Sequence, residues 1–496
     1  MLTLVSLCLL LAAGLLLVAA AMANHLARKR KGVAKGLPGP GAWPVLGSLH
    51  LLGGHETPFH AFTALAKRYG QIYQMRLGAS RCVVVNSFAL IKEVLITKGA
   101  HFGGRPDFIR FHQLFGGDRD NSLALCDWSD LQKTRRRIAR FYCSPRFASP
   151  QFSQLSAVAG SETARLLQRI RAHGPGALHV KPLIQATCAN MFANYMCSMS
   201  FDYDDAGFQQ VVQNFDEIFW DINQGYAVDF LPWLLPVYQG HMKQLQQWAH
   251  NIRQFILTRV VAAHRERMQQ GGPASDFTDA LLQHLESDPE LTWQHAIFEL
   301  EDFLGGHSAV GNLIMLTLAA VVKYPEVGAK IQAEIKKVAG DGRPINLFDR
   351  SVMPYTEATI LETLRVTSSP IVPHVATEDS SISGYEIPKG TVVFLNNYEL
   401  NTGEEYWKEP ETFKPERFVV EDQVVKPSHF IPFSTGKRTC IGSKLVQSFT
   451  FAVVTSILQN FDISAGQGKI ELPKACVALP PKTFSLVFTA RQTIAQ

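Results

Sequence analysis

The sequence predicts a mainly α-helical fold with small β-sheets, preceded by a membrane-spanning helix. Three observations carry that prediction. The chain has 496 residues, 46% hydrophobic and 18% charged, which is enough to bury a large core. Helical periodicity with polar breaks fills the stretch from about 130 to 370, and short β-branched runs sit towards the two ends. Residues 2 to 23, LTLVSLCLLLAAGLLLVAAAMA, carry no charge, and a helix of that length reaches about 33 Å, matching a hydrocarbon core of about 30 Å.

A cleavable signal peptide is the rival reading of this first segment. The apolar run exceeds the usual ~7–15 residues, and no basic residue precedes it. Arg28, Lys29, Arg30, Lys31 and Lys35 follow instead, so the positive-inside rule leaves the rest of the chain in the cytosol. The expected organisation is an anchor over 1–24, a basic linker rich in proline and glycine over 25–48, and one folded body over 49–496. Pro38, Pro40 and Pro44 stiffen the linker. A net charge of +5, from 48 basic and 43 acidic residues, carries no nucleic-acid signal. The eight cysteines form no C-x-x-C pair and read as reduced, cytosol-facing thiols.

Along the body, QIYQMRLG and RCVVVNS near the start, GTVVFLNN at 390–397 and FSLVFTA at the end read as strands. Helix punctuation lies between. In QQGGPASDF, at 269–277, Ser275 or Asp276 is a candidate cap, and in KYPEV, at 323–327, Pro325 suits a first helical turn. The stretch from about Phe298 to Val322 is apolar and helical, yet it contains FLGGHSAVGN. Gly305, Gly306 and Gly311 each cost ~1 kcal/mol relative to alanine there. Something packed against this helix must account for them.

FIPFSTGKRTCIGSKL at 430–445 places Cys440 in a loop directly before an apolar helix that starts near Gly442. Helix N-terminal amides, with Lys437 and Arg438, would favour a thiolate and make Cys440 a candidate metal ligand. Glu362 and Arg365 in LETLR lie one helical turn apart, and FKPERF supplies Arg417.

Phe433, Gly436, Arg438, Cys440 and Gly442 resemble the loop F-x-x-G-x-R-x-C-x-G of the cytochrome P450 superfamily, and the E-x-x-R and P-E-R stretches follow that family's order. The resemblance implies a cytochrome P450 fold and a haem b cofactor with Cys440 as axial thiolate. It also implies a buried Glu362–Arg365–Arg417 lock, and electrons from NADPH-cytochrome P450 reductase at the endoplasmic reticulum membrane. Arg438, His374 and the helix after Trp128 are the candidate propionate partners. The family's W-x-x-x-R is not met, because Gln132 stands where arginine is expected; Arg135 or Arg136, one turn further, is the candidate replacement. The remaining RRR charges form a basic face suited to an acidic reductase.

By position, Phe108 and Phe115, Ile371 and Val372, and the turn ending at Leu479 resemble the family's substrate contacts, and DFLPWLLPV at 229–237 its membrane-touching loop. Apolar walls imply an apolar substrate. FLGGHSAVGN falls where the family writes [AG]-G-x-[DE]-T. Gly305 and Gly306 match, allowing close approach to haem, while Ser308 and Ala309 replace the acid and the threonine. His307 and Ser308 are therefore the candidate proton-transfer groups, and packing of His307 against a neighbouring helix is the alternative.

GGHSAVGN, LFGGDRDNSLALCDWS at 114–129 and HFGGRPDF at 101–108 further resemble the spook and spookier members of the insect Halloween group. That implies an early step of ecdysteroid synthesis from 7-dehydrocholesterol. The absent acid and alcohol also permit a haem-thiolate isomerase or dehydratase. A non-enzymatic haem sensor is the third reading.

Overall fold

A computed structural model describes residues 36–270, 275–340 and 342–491. The expected anchor over 1–24, and the linker as far as residue 35, lie outside the described residues.

The predicted strands form where the sequence places them. Ile72–Leu77 (β1) and Ser80–Val85 (β2) pair antiparallel. Val392–Leu395 (β5) joins β2 in parallel, and His374–Val375 (β4) closes the sheet in the order β1-β2-β5-β4. Val392 to Leu395 are all buried, as expected of an interior strand covered on both faces. The strands Ala177–Leu178 (β3), Phe461–Ala465 (β6) and Leu486–Ala490 (β7) make a second sheet in the order β6-β7-β3.

The helices that matter for the site are Ile109–Leu114 (α1), Asp130–Cys143 (α2), Pro150–His173 (α3), Lys181–Cys197 (α4), Ala206–Ile222 (α5), Phe277–Ser287 (α6), Trp293–Lys323 (α7), Pro354–Thr367 (α8) and Ser443–Asn460 (α9). Local chemistry starts them. Ser129, Ser149, Asp205 and Asp276 each accept a backbone N–H of the first turn they cap, a contact worth about 1 kcal/mol apiece. Thr292 and His295 form a reciprocal capping box on α7. Pro325 opens the helix that follows α7.

α7 runs through the largest apolar cluster, packed by α4, α5, α8 and α9. It is long and apolar enough to cross a bilayer, but 78% of its most apolar window is buried inside the protein. That burial makes it a core helix: its hydrophobic residues meet other helices on nearly every side. Seven of the eight cysteines are described, and all seven are free thiols.

Candidate active site

The Cys440 loop is built from backbone constraints. Gly436 has φ +74°, and a Cβ there would strike the Leu95 carbonyl oxygen, so only glycine is accommodated. The chain then turns through Gly436–Arg438, and the Cys440 N–H donates to the Phe433 carbonyl at 2.9 Å. Cys440 is exposed by area, yet desolvation is the largest influence on its thiol and raises it, against the Gly442 and Ser443 amides and Arg136. A group both accessible and hemmed in by protein lies in a recess rather than on the outer surface. The helix-start amides are thus present, but the cation that acts on Cys440 is Arg136, not the expected Lys437 and Arg438, and burial outweighs it.

Beside this loop sit three guanidinium groups with no acidic acceptor among the described residues. Arg438 donates to Gln132 Oε1 at 2.5 Å and to the carbonyls of Ala124 and Cys126. Arg105 donates to the carbonyls of Val372, Pro373 and Ala124. Arg136 donates to the Thr439 carbonyl at 2.6 Å. Burial, then mutual repulsion, lowers Arg105 well below the arginine range, and burial is the chief cause that brings Arg438 down to about 10. His374 is buried, with Nδ1 2.6 Å from the Phe102 carbonyl and Nε2 unpartnered; burial and then Arg105 hold it well below its usual value. Positive groups this desolvated and this close fit an anionic partner, such as the two propionates of a haem.

Of the two candidates on α2, Arg135 is fully buried and pairs with Glu299 at 3.0 Å, which turns it towards α7. Arg136 is the one that reaches the Cys440 loop. Gln132, at the position expected to hold arginine, instead holds Arg438. Trp128 packs beneath Lys437, whose Nζ lies 5.6 Å from the ring centroid. The sequence reading missed Arg105. Its one signal was an arginine before proline in a glycine-rich stretch.

Between Ala296 and Val321, α7 is buried except at Asp302, Gly305, Gly306 and Ala309. The 3-1-3 spacing puts these four on one face, a lining stripe within an otherwise packed helix. Asp302 is raised to about 6, burial being the main cause, and accepts from Leu123 N–H and the Ser122 hydroxyl, tying the 115–127 loop to the stripe. Gly305 leaves room for the Phe215 ring and Gly306 for Phe192.

His307 is not one of the four stripe residues, although it touches the same Phe215 ring that Gly305 faces. It is buried edge-on to Phe215, with Nδ1 2.6 Å from the Leu304 carbonyl and Nε2 unpartnered. Burial lowers its pKa to about 4, so the ring is neutral. Ser308 is buried and its hydroxyl is unpartnered. The structure does not bring His307 to the stripe.

Phe108 packs against Phe230 at 5.2 Å and Phe115 against Phe298 of α7 at 5.8 Å. Buried Arg110 pins this roof by pairing with Asp221 and Asp229. Ile371 is buried and Val372 is 39% exposed. Trp233 and Val237 project outward from the apolar segment expected to meet lipid. Glu362 takes two bonds of 2.8 Å from Arg365, one of 3.1 Å from Arg417 and one from the Lys414 N–H.

A cytochrome P450 family model matches residues 37–488. Cytochrome P450 307a1 of Drosophila melanogaster is 48% identical over 485 residues, 92% of this chain and 89% of that protein. A steroid 17-alpha-hydroxylase/17,20 lyase of Gallus gallus is 31% identical, covering 86% of both chains. A farnesoate epoxidase of Bombyx mori is 31% identical, covering 92% of this chain and 94% of its own.

Proposed function

The chain belongs to the cytochrome P450 family and is an oxidoreductase of it, and from that premise we propose that it is a membrane-anchored monooxygenase acting on an apolar sterol, at an early step of ecdysteroid synthesis from 7-dehydrocholesterol. The observation that carries the haem-thiolate reading is the recessed Cys440 beside buried Arg105 and Arg438 and half-buried Arg136, which pair with no acid among the described residues. Haem b would be held there by Cys440, Arg105, Arg136, Arg438 and His374, and when bound would supply dioxygen activation. The protein's own groups do the rest. The stripe of Asp302, Gly305, Gly306 and Ala309 forms the wall facing the reacting carbon, and Phe108, Phe115, Ile371, Val372 and Leu479 exclude water around an apolar ligand. Relatives named for a steroid and for farnesoate support an apolar substrate. The similarity to the 307a1 protein supports the Halloween reading.

Residues 1–24 serve as the anchor at the endoplasmic reticulum, with the body in the cytosol. Lys133, Arg137 and Arg140, exposed along α2, receive the acidic reductase. A neutral, inward-facing His307 supports a packing role over proton transfer. Protons then reach the site by water or a substrate hydroxyl.

In the reduced, carbon monoxide-bound state the wild type is expected to show the long-wavelength Soret band of a thiolate-ligated haem. A Cys440→Ala protein with the same band would refute the ligand assignment. Incubation with a sterol panel, with and without NADPH and reductase, tests the reaction by product mass. Turnover without electrons would make it an isomerase or dehydratase, and no turnover of any sterol would favour a sensor.

A further inference from the structure

A buried charge pair outside the Cys440 loop has no part in the reading above. Lys181, at the first turn of α4, and Asp216, in the middle of α5, are 2% and 7% exposed and meet at 2.6 Å. Burying such a pair costs several kcal/mol per ion, and an apolar pair of the same volume often serves stability as well. What distinguishes this pair is what else it holds.

The ammonium of Lys181 also donates to the carbonyls of Leu479, at 2.9 Å, and Pro480, at 3.2 Å, so each of its protons is used. Asp216 Oδ1 accepts from Asn312 Nδ2 at 3.3 Å and Gln185 Nε2 at 3.0 Å. Asn312 Oδ1 in turn accepts the Leu479 N–H at 2.9 Å. The contacts close a ring running Lys181, Asp216, Asn312, Leu479 and back. Its members come from α4, α5, α7 and a segment, 471–480, that has no helix or strand of its own. The backbone N–H and C=O of Leu479 are both satisfied by side chains. Asn312 lies three residues beyond Ala309, so the ring seats the Leu479 turn beside the open stripe of α7. Gly311 belongs to the same arrangement: a Cβ there would collide with Gln185 Oε1.

We propose that Lys181, Asp216 and Asn312 are positioning residues that clamp the Leu479 turn against α7 and thereby set how bulky a ligand the pocket admits. The proposal rests on the family reading for its assumption that this turn faces the substrate. The clamp itself is independent of it. Helices from three parts of the chain fix one backbone unit from both sides, so loosening any member lets the turn move as a piece. A wall residue displaced by about 1 Å is enough to change binding of a shape-matched ligand substantially.

The test uses full-length holoprotein and two haem-binding probes, imidazole as the small one and clotrimazole as the bulky one, with hydrogen exchange of the peptide spanning 474–484. Asn312→Ala leaves the ion pair in place; Lys181→Met/Asp216→Asn removes both charges together, so that neither is left alone. Exchange in that peptide is expected to quicken about tenfold as the Leu479 bonds are lost. Clotrimazole affinity is expected to change at least about fivefold while imidazole affinity holds. Unchanged exchange, or equal changes for both probes, overturns the proposal, the second because a merely structural defect weakens both alike. If the double variant loses haem, Asn312→Ala decides by the same criteria. Should the wild type lack the thiolate band, the family-based function fails, and the exchange of 474–484 still decides the clamp.

Discussion

Replacing Gly311 by alanine is expected to destabilise the protein, although alanine is the better helix former. In an unobstructed helix the exchange gains ~1 kcal/mol. Here the new Cβ occupies the place of Gln185 Oε1. The glutamine must rotate away, losing its 3.0 Å bond to the Asp216 carboxylate. A hydrogen bond to a charged group contributes roughly 1.5–3 kcal/mol, so the net effect is a loss of roughly 0.5–2 kcal/mol. Gly160 in α3 is the control, since nothing lies within 4 Å of its Cβ position. Gly160→Ala should stabilise by up to ~1 kcal/mol. For a chain of this length, unfolding entropy gives about 1 °C of Tm per kcal/mol. Calorimetry on holoprotein should therefore separate the two variants by roughly 1.5–3 °C, with opposite signs about the wild type. Equal stabilisation by both would refute the claim that Gln185 dictates glycine at 311.

Glu362→Gln removes the one carboxylate that, among the described residues, pairs with fully buried Arg365, at a cost of ~3–5 kcal/mol; the measurement is holoprotein yield and Tm, and a wild-type Tm would show that the charge is dispensable. His264 is buried 3.1 Å from Asp276, beside Arg267 and Asp279; burial opposes its protonation, but the Asp276 bond and charge outweigh that and raise its pKa above 6.5. That stabilisation is full below pH 6.5 and fades as pH rises through the folded value, so a His264→Gln protein should lose this part of the pH dependence of Tm above neutrality. His307→Phe should keep its haem and form as much product per NADPH as the wild type, because the ring packs against Phe215; a clear drop in coupling at full haem content would instead reinstate proton transfer.

The features legible in the sequence were local ones. Asp276 caps its helix because a side-chain oxygen two or three residues from a free N–H acts wherever the chain goes next. The strands at 72–77, 80–85, 392–395 and 486–490 follow from β-branched runs between breakers. The Cys440 loop is contiguous, so its spacing alone identified it. Glu362, Arg365 and Arg417 were found through ordered motifs that the fold then draws within 3.1 Å.

Tertiary structure decided what a buried polar side chain meets. Gln132 looked like a lost arginine until it was seen to hold Arg438. Arg135 and Arg136 are neighbours in a run of three, and only the 100° turn between successive helix positions sends one to Glu299 and the other to the Cys440 loop. Lys181, Asp216 and Asn312 were assigned no partner from the sequence. Their contacts within the ring span separations of 31 to 299 residues, and no local pattern encodes which charge neutralises which. That pairing is set by helix packing, because a charge can be kept in the core only where an opposite charge and enough hydrogen bonds arrive with it.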